Sequence, residues 1–153
     1  NNCKLIHNTP NYDTIYAFGG GLKVYGMSEY SPIYTTAIVT NTLFSDNHTK
    51  YFTGNSSNSI SVQSGAQVFL VNSTLTENIA ENDNGGNIGI RNNGTMFIYN
   101  SILFDNYPRE LYMNNIFSMP NYLNVNYSLV DGGKENICIY SGNNVLNYDT
   151  TNI

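Results

Sequence analysis

Charge is scarce in this chain. Asp, Glu, Lys and Arg make up only 11% of its 153 residues, and the formal net charge is −5. The 6 Lys and Arg residues are scattered, so no basic stripe exists to release counterions from phosphate, and nucleic acid is not expected as a partner. Long apolar runs are missing too: none reaches the roughly 18 residues of a membrane-spanning helix. The 2 cysteines and 2 histidines show no CxxC or HxxxH spacing, so zinc is unsupported. No Asp-Asp pair, no Gly-His-Gly and no dense set of Asp occurs, although glycosidic acid–base chemistry needs two carboxylates within about 5–9.5 Å. No stretch sustains an apolar period of 3.6 residues between caps, so helices are not expected. The opening residues lack a basic n-region followed by an apolar h-region. The chain therefore reads as a fragment or a mature piece of something longer.

What is present is polar but uncharged. Asn occurs 27 times, beside 13 Tyr and 13 Gly. Asn tolerates left-handed backbone and bonds its own turn, which suits a fold built mostly of turns. Disorder is ruled out by short apolar clusters that recur in step with a repeat. A seven-residue phrase returns five times, starting at Asn2, Asn41, Asn72, Asn100 and Asn126, in steps of 39, 31, 28 and 26 residues. The copy Asn126-Tyr127-Ser128-Leu129-Val130-Asp131-Gly132 is the most divergent. Recurrence at this spacing marks a stacked array, in which equivalent residues form rows. The length fits one domain, residues 1–153.

Two strand signals accompany each phrase. Apolar pairs at i and i+2 (Leu22/Val24, Ile60/Val62, Ile88/Ile90, Leu111/Met113, Ile137/Ile139) predict one buried face of a strand. Runs such as Val68-Phe69-Leu70-Val71 and Met96-Phe97-Ile98-Tyr99 lead into the phrase. The fourth place of the phrase (Leu5, Phe44, Leu75, Leu103, Leu129) points inward, and so by alternation does the second (Cys3, Thr42, Ser73, Ser101, Tyr127). Gly-Gly at 19–20, 85–86 and 132–133, with Gly65 and Gly94, is expected to make turns. A strand that pairs with its counterpart one repeat later is parallel to it. The predicted fold is all-β, a parallel β-helix of about five coils. Leu22, Ile60, Ile88, Leu111 and Ile137 should then pile above one another. At about 4.8 Å per coil, Cys3 and Cys138 would lie roughly 19 Å apart, too far for a disulfide. Fraying is expected over 1–14 and 143–153, where the period fades.

These phrases also carry a family resemblance. Gly19-Gly20-Gly21-Leu22-Lys23-Val24-Tyr25, Val39-Thr40-Asn41-Thr42-Leu43-Phe44-Ser45-Asp46-Asn47 and Tyr99-Asn100-Ser101-Ile102-Leu103-Phe104-Asp105-Asn106 resemble the right-handed parallel β-helix repeat proteins of bacterial surfaces. Tyr127-Ser128-Leu129-Val130-Asp131-Gly132-Gly133 is similar to a late coil of their secreted, adhesin-like members. The resemblance covers essentially the whole chain. It implies a right-handed, single-stranded solenoid and an extracellular or cell-surface location. The scaffold carries adhesins, lyases and hydrolases alike. The expected function is a non-catalytic module of an exported surface protein, a structural spacer or adhesin with glycan binding. The alternative is part of a polysaccharide lyase or glycoside hydrolase whose catalytic coils lie outside this segment.

Three rows of side chains are candidates for a site. Outward positions of the second strand include Lys23, Tyr25, Gln63, Arg91, Tyr112, Asn114 and Tyr140, with Cys138 among them. Stacked, they would make a flat strip roughly 19 Å long, and Tyr with amide and guanidinium groups suits a polysaccharide. The bland reading is that Tyr simply favours sheets, and that Lys23 and Arg91 are solvated surface charges. The sixth place of the phrase holds His7, Asp46, Glu77, Asp105 and Asp131. Acids about 5 Å apart repel, and calcium would relieve this, yet one carboxylate per coil falls short of six to eight ligands. Solvated turns are the preferred reading, and no cofactor is expected. The first place, Asn41, Asn72, Asn100 and Asn126, is read as a structural amide ladder. The Asn-x-Ser/Thr sequons at 47, 55, 72, 93 and 126 follow from composition alone. Expected partners are a polysaccharide or another surface protein, with edge-to-edge assembly through the end coils.

Overall fold

The computed structural model describes residues 3–6, 8, 20–26, 35–49, 57–81 and 85–153. The expectations placed on Asn2, His7, Gly19 and Asn55, and most of the stretch 1–14, lie outside the described residues. Three sheets carry the fold. The first holds β1 (Cys3–Ile6), β4 (Thr42–Ser45), β8 (Thr74–Thr76), β12 (Ile102–Phe104) and β15 (Leu129–Val130). The second holds β2 (Leu22–Tyr25), β6 (Ser57–Gln63), β10 (Gly86–Arg91), β13 (Leu111–Asn114) and β16 (Ile137–Ser141). The third holds β3 (Thr35–Thr40), β7 (Ala66–Val71), β11 (Thr95–Tyr99), β14 (Asn121–Asn126) and β17 (Asn144–Tyr148). A short ribbon pairs β5 (His48–Thr49) with β9 (Ile79–Ala80), and Ile79 bridges to Tyr107.

The chain visits the first, second and third sheets in the same cyclic order five times. One visit to all three is termed a tier. All pairings are parallel. The fold is thus all-β with parallel sheets throughout, compatible with a parallel β-helix. The single helical segment among the described residues is a 3-10 turn, Gly133–Asn136.

Alternation places the core as the sequence predicts. Leu22, Ile60, Ile88, Leu111 and Ile137 are register partners in turn across the second sheet. Val24, Val62, Ile90, Met113 and Ile139 form the next column. In the third sheet, Ala37, Val68, Met96, Leu123 and Leu146 line up, beside Val39, Leu70, Ile98, Val125 and Tyr148. Phe44, Leu75 and Leu103 close the core from the first sheet, all at 0% exposure. Each of these large side chains contributes roughly 1.5–3 kcal/mol on full burial.

The last copy of the phrase departs from its predicted register by one residue. Ile102 pairs with Leu129 and Leu103 with Val130. Val130, not Leu129, is therefore the inward residue, and it is 2% exposed. Ser128, not Tyr127, takes the second place. The backbone gives the reason. The phrase begins on a left-handed residue: Asn41 (φ 52), Asn72 (φ 50) and Asn100 (φ 51). In the last copy this residue is Tyr127 (φ 52), while Asn126 still belongs to β14. The phrase also closes on left-handed residues, Asp46 (φ 52), Glu77 (φ 56), Asp105 (φ 55) and Gly132 (φ 72). These two turns rotate the chain from one sheet to the next.

Two further expectations are corrected. Gly86 lies within β10 rather than in a turn. The stretch 143–153 is not loose: β17 pairs with β14, Ile153 N donates to Ser128 O at 3.0 Å, and Val130 N donates to Ile153 O at 2.9 Å. Asn152–Ile153 thus adds to the first sheet beyond β15.

Candidate functional site: buried ladders and outer rows

The polar groups of the phrase face two ways, and the inward ones form ladders. In the seventh place, Asn8 Nδ2 donates to Asn47 Oδ1 at 2.8 Å. Asn47 Nδ2 donates to Asn78 Oδ1 at 2.8 Å, and Asn78 Nδ2 to Asn106 Oδ1 at 2.8 Å. The same carbonyl oxygens accept backbone bonds from Asn47 N and Asn78 N, both at 3.0 Å. Asn47 and Asn78 are 0% exposed. In the second place, Thr42 N donates to Ser73 Oγ at 3.2 Å, Ser73 N to Ser101 Oγ at 3.2 Å, and Ser101 N to Ser128 Oγ at 3.1 Å. Asn152 Oδ1 continues the row by accepting from Ser128 N at 2.9 Å. Each hydroxyl donates back to the carbonyl two residues earlier, as Ser73 does to Val71 O at 3.0 Å.

The expected first-place ladder is present in one rung, and a second, buried ladder runs through the seventh place. The first-place residues Asn41, Asn72 and Asn100 are exposed, and Asn126 is half-buried. Among them Asn100 Nδ2 donates to Asn72 Oδ1 at 2.7 Å, an exposed bond. The left-handed residue in sixth place turns the chain so that the seventh residue points inward instead.

A carboxylate ends the buried ladder. Asn106 Nδ2 donates to Glu110 Oε2 at 2.6 Å, and Asn106 N to Glu110 Oε1 at 3.2 Å. Glu110 is 0% exposed. Burial pushes its pKa up to about 7; the Asn106 hydrogen bonds oppose this, and the charge of Asp131 adds to it. No sequence signal marked Glu110, because it lies outside the phrase.

The outer strip of the second sheet is not the open surface expected. Lys23, Tyr25 and Tyr140 are exposed and Arg91 is half-buried, but Gln63, Tyr112 and Asn114 are buried. A Cβ placed on Gly89 would lie 2.8 Å from Ser57 Cβ, so the outer face is already covered in the third tier. The Tyr112 hydroxyl is buried without a hydrogen bond of good geometry. Its pKa is raised by burial, against the pull of the Arg91 charge. The accessible members therefore fall into two separate places. At one end Lys23 Nζ stands 5.5 Å from the Tyr25 ring centre; at the other Tyr140 lies 6.3 Å from the Tyr112 ring.

The acid row is shorter than expected. Asp46, Glu77 and Asp105 keep the sixth place, but the shifted last copy puts Gly132 there and moves Asp131 out of the row. Among the described residues, no group of three or more His, Cys, Asp or Glu is placed to hold a metal ion. His48 Nε2 lies 3.2 Å from Glu81 Oε1, a pair the sequence did not signal. Cys3 and Cys138 are free thiols. On the third sheet, Phe69 and Phe97 stack at 4.7 Å with a 6° tilt, and Tyr99 lies 6.4 Å beyond Phe97. Stacked in this way, Phe69 and Phe97 cover one face of each other, which leaves less ring face for a sugar. No family model matches the chain, and no curated protein or solved structure matches it.

Proposed function

We propose that the chain is a single right-handed parallel β-helix of about five coils, akin to the repeat proteins of bacterial surfaces. In this reading it is a non-catalytic module of an exported protein, serving as a spacer or adhesive segment. The observation that carries the reading is the direction of its polar side chains. Ser73, Ser101, Ser128, Asn47, Asn78 and Asn106 are turned inward and bond the neighbouring tier. Groups committed to holding tiers in register are not free to act on a substrate. The stacked tiers also give length without needing a wide core, as a spacer requires.

Glycan contact in this reading falls to the exposed pair Lys23 and Tyr25 and to Tyr140, rather than to a continuous strip. The protein is tested by incubation with uronate-containing and neutral polysaccharides, assaying for unsaturated and reducing ends. No release from any of them is expected. Release that is abolished by substituting residues of this segment would overturn the reading.

A further inference from the structure

One residue of the repeated phrase is not explained by the fold. Its left-handed first place is held by Asn41, Asn72 and Asn100, and Asn accepts that backbone readily. In the last copy the place belongs to Tyr127, at φ 52. A Tyr side chain disfavours this backbone, and packing does not compensate, since the residue is 67% exposed. A residue held in a costly conformation with its ring in solvent points to work at the surface.

Tyr127 stands over a groove. Asn100, Tyr127 and Thr151 follow one another in the first-place row. Two residues further on, Ile102, Leu129 and Ile153 follow one another on the outer side of the first sheet. The two rows line an open groove of about 440 Å³. Small-molecule sites span roughly 300–1,000 Å³. The groove runs along the flank of the stack, and Asn72 and Thr74 carry its two rows back into the third tier. The backbone beneath the ring is held in place. Tyr127 N donates to Thr151 Oγ1 at 3.2 Å, and Leu129 N to Ser101 O at 2.9 Å. Asn100 Nδ2 is engaged by Asn72 Oδ1, which leaves Asn100 Oδ1 to accept from a ligand. Among the described residues lining the groove, none has a charged side chain.

We propose that this groove binds a neutral glycan, with a pyranose C–H face on the Tyr127 ring and its hydroxyls bonded to Asn100 and Thr151. The proposal rests on the reading of the chain as an adhesive module, and it names a contact apart from Lys23, Tyr25 and Tyr140. The chemistry of the walls selects the ligand. A pyranose has an apolar face and a rim of hydroxyls, which match an aromatic and aliphatic wall beside an amide and a hydroxyl. A uronate would bring a carboxylate into a groove without a lining cation to pair it. An apolar peptide would leave the amide and hydroxyl row without partners.

The test is isothermal titration of the chain with cellohexaose, xylohexaose and mannohexaose, and with hexagalacturonate for comparison. At least one neutral hexasaccharide should bind, and hexagalacturonate should bind more weakly than it. Tyr127→Asn restores the residue type that the other copies use, so the fold tolerates it. It should weaken binding about tenfold or more, while Tyr127→Phe, which keeps the ring, should stay within about threefold of the native chain. Tyr140→Ala should leave binding unchanged. If Tyr127→Asn unfolds, Ile102→Thr decides by the same loss, because Ile102 faces outward and is 45% exposed. Binding by Tyr127→Asn as tight as that of the native chain would overturn the proposal while leaving glycan contact elsewhere on the module intact. Binding of none of the three neutral hexasaccharides would overturn it as well, and the non-catalytic reading would still be judged separately, by the release of sugar ends.

Discussion

Replacing Asn78 by Ala removes the centre of the buried amide ladder. Its Oδ1 accepts from Asn47 N at 3.0 Å and from Asn47 Nδ2 at 2.8 Å. Its Nδ2 donates to Phe44 O at 3.1 Å, to Thr76 O at 2.9 Å and to Asn106 Oδ1 at 2.8 Å. The substitution leaves at least two buried backbone groups, Asn47 N–H and Phe44 C=O, without the partner Asn78 supplies. Each such group costs about 1–3 kcal/mol, so the loss is about 2–6 kcal/mol. Domains of this size hold roughly 5–15 kcal/mol in all. With a urea slope of about 2 kcal/mol per molar, the unfolding midpoint should fall by about 1–3 M. Asn72→Ala is the control. Asn72 is exposed at φ 50 and accepts one solvent-exposed bond from Asn100 Nδ2, so its loss should cost the left-handed penalty that Asn relieves and little more, about 1–1.5 kcal/mol. Urea titration followed by circular dichroism compares the two. If Asn72→Ala costs as much as Asn78→Ala, the amide ladder does not run through the seventh place.

Other outcomes follow from the same geometry. The pKa of Glu110 is raised to about 7, above its ordinary 4.5, so its contribution is fully present below about pH 4.5 and is lost as the pH rises towards 7. Relative to Glu110→Gln, the native chain should lose about 3 kcal/mol between pH 4.5 and 7.5, and a flat difference would refute the buried carboxyl. Tyr127 holds φ 52 and is 67% exposed, so Tyr127→Asn should gain about 0.5–1 kcal/mol in the same titration. A loss there would mean that its ring packs in a way its exposure does not suggest. Ile88→Ala empties a 0% exposed site between Ile60 and Leu111 and should cost about 2–5 kcal/mol by thermal or urea unfolding.

The sequence was most legible where one face of a strand is buried. The pairs at i and i+2 fixed the columns of the second sheet because a slip of one residue would expose every apolar side chain, and the apolar runs located the strands of the third. It was least legible at the turns. Asn126 imitates the start of a phrase, but the left-handed position belongs to Tyr127, and nothing in residue type announces a Tyr there. The buried amide ladder was missed for a related reason. Asn fills both the first and seventh places of the phrase, and only the backbone turn between them decides which points inward. Alternation also predicted correctly that Gln63, Tyr112 and Asn114 face away from the apolar core. It could not show that such positions are covered, because that depends on a non-local approach such as Ser57 over Gly89. The stacked Phe69 and Phe97 follow from the predicted register, which places them one strand apart. Glu110 carried no periodic signal at all.

The stacking of tiers in register is tested most directly by one distance. Ile38 and Asn147 are both exposed and begin and end the outward column that passes through Phe69, Phe97 and Asn124. Spin labels at these two positions, with Cys3 and Cys138 replaced by Ser, should give a single narrow double electron–electron resonance distribution near four strand spacings, about 19 Å. A broad distribution, or one centred beyond about 30 Å, would contradict the parallel stack.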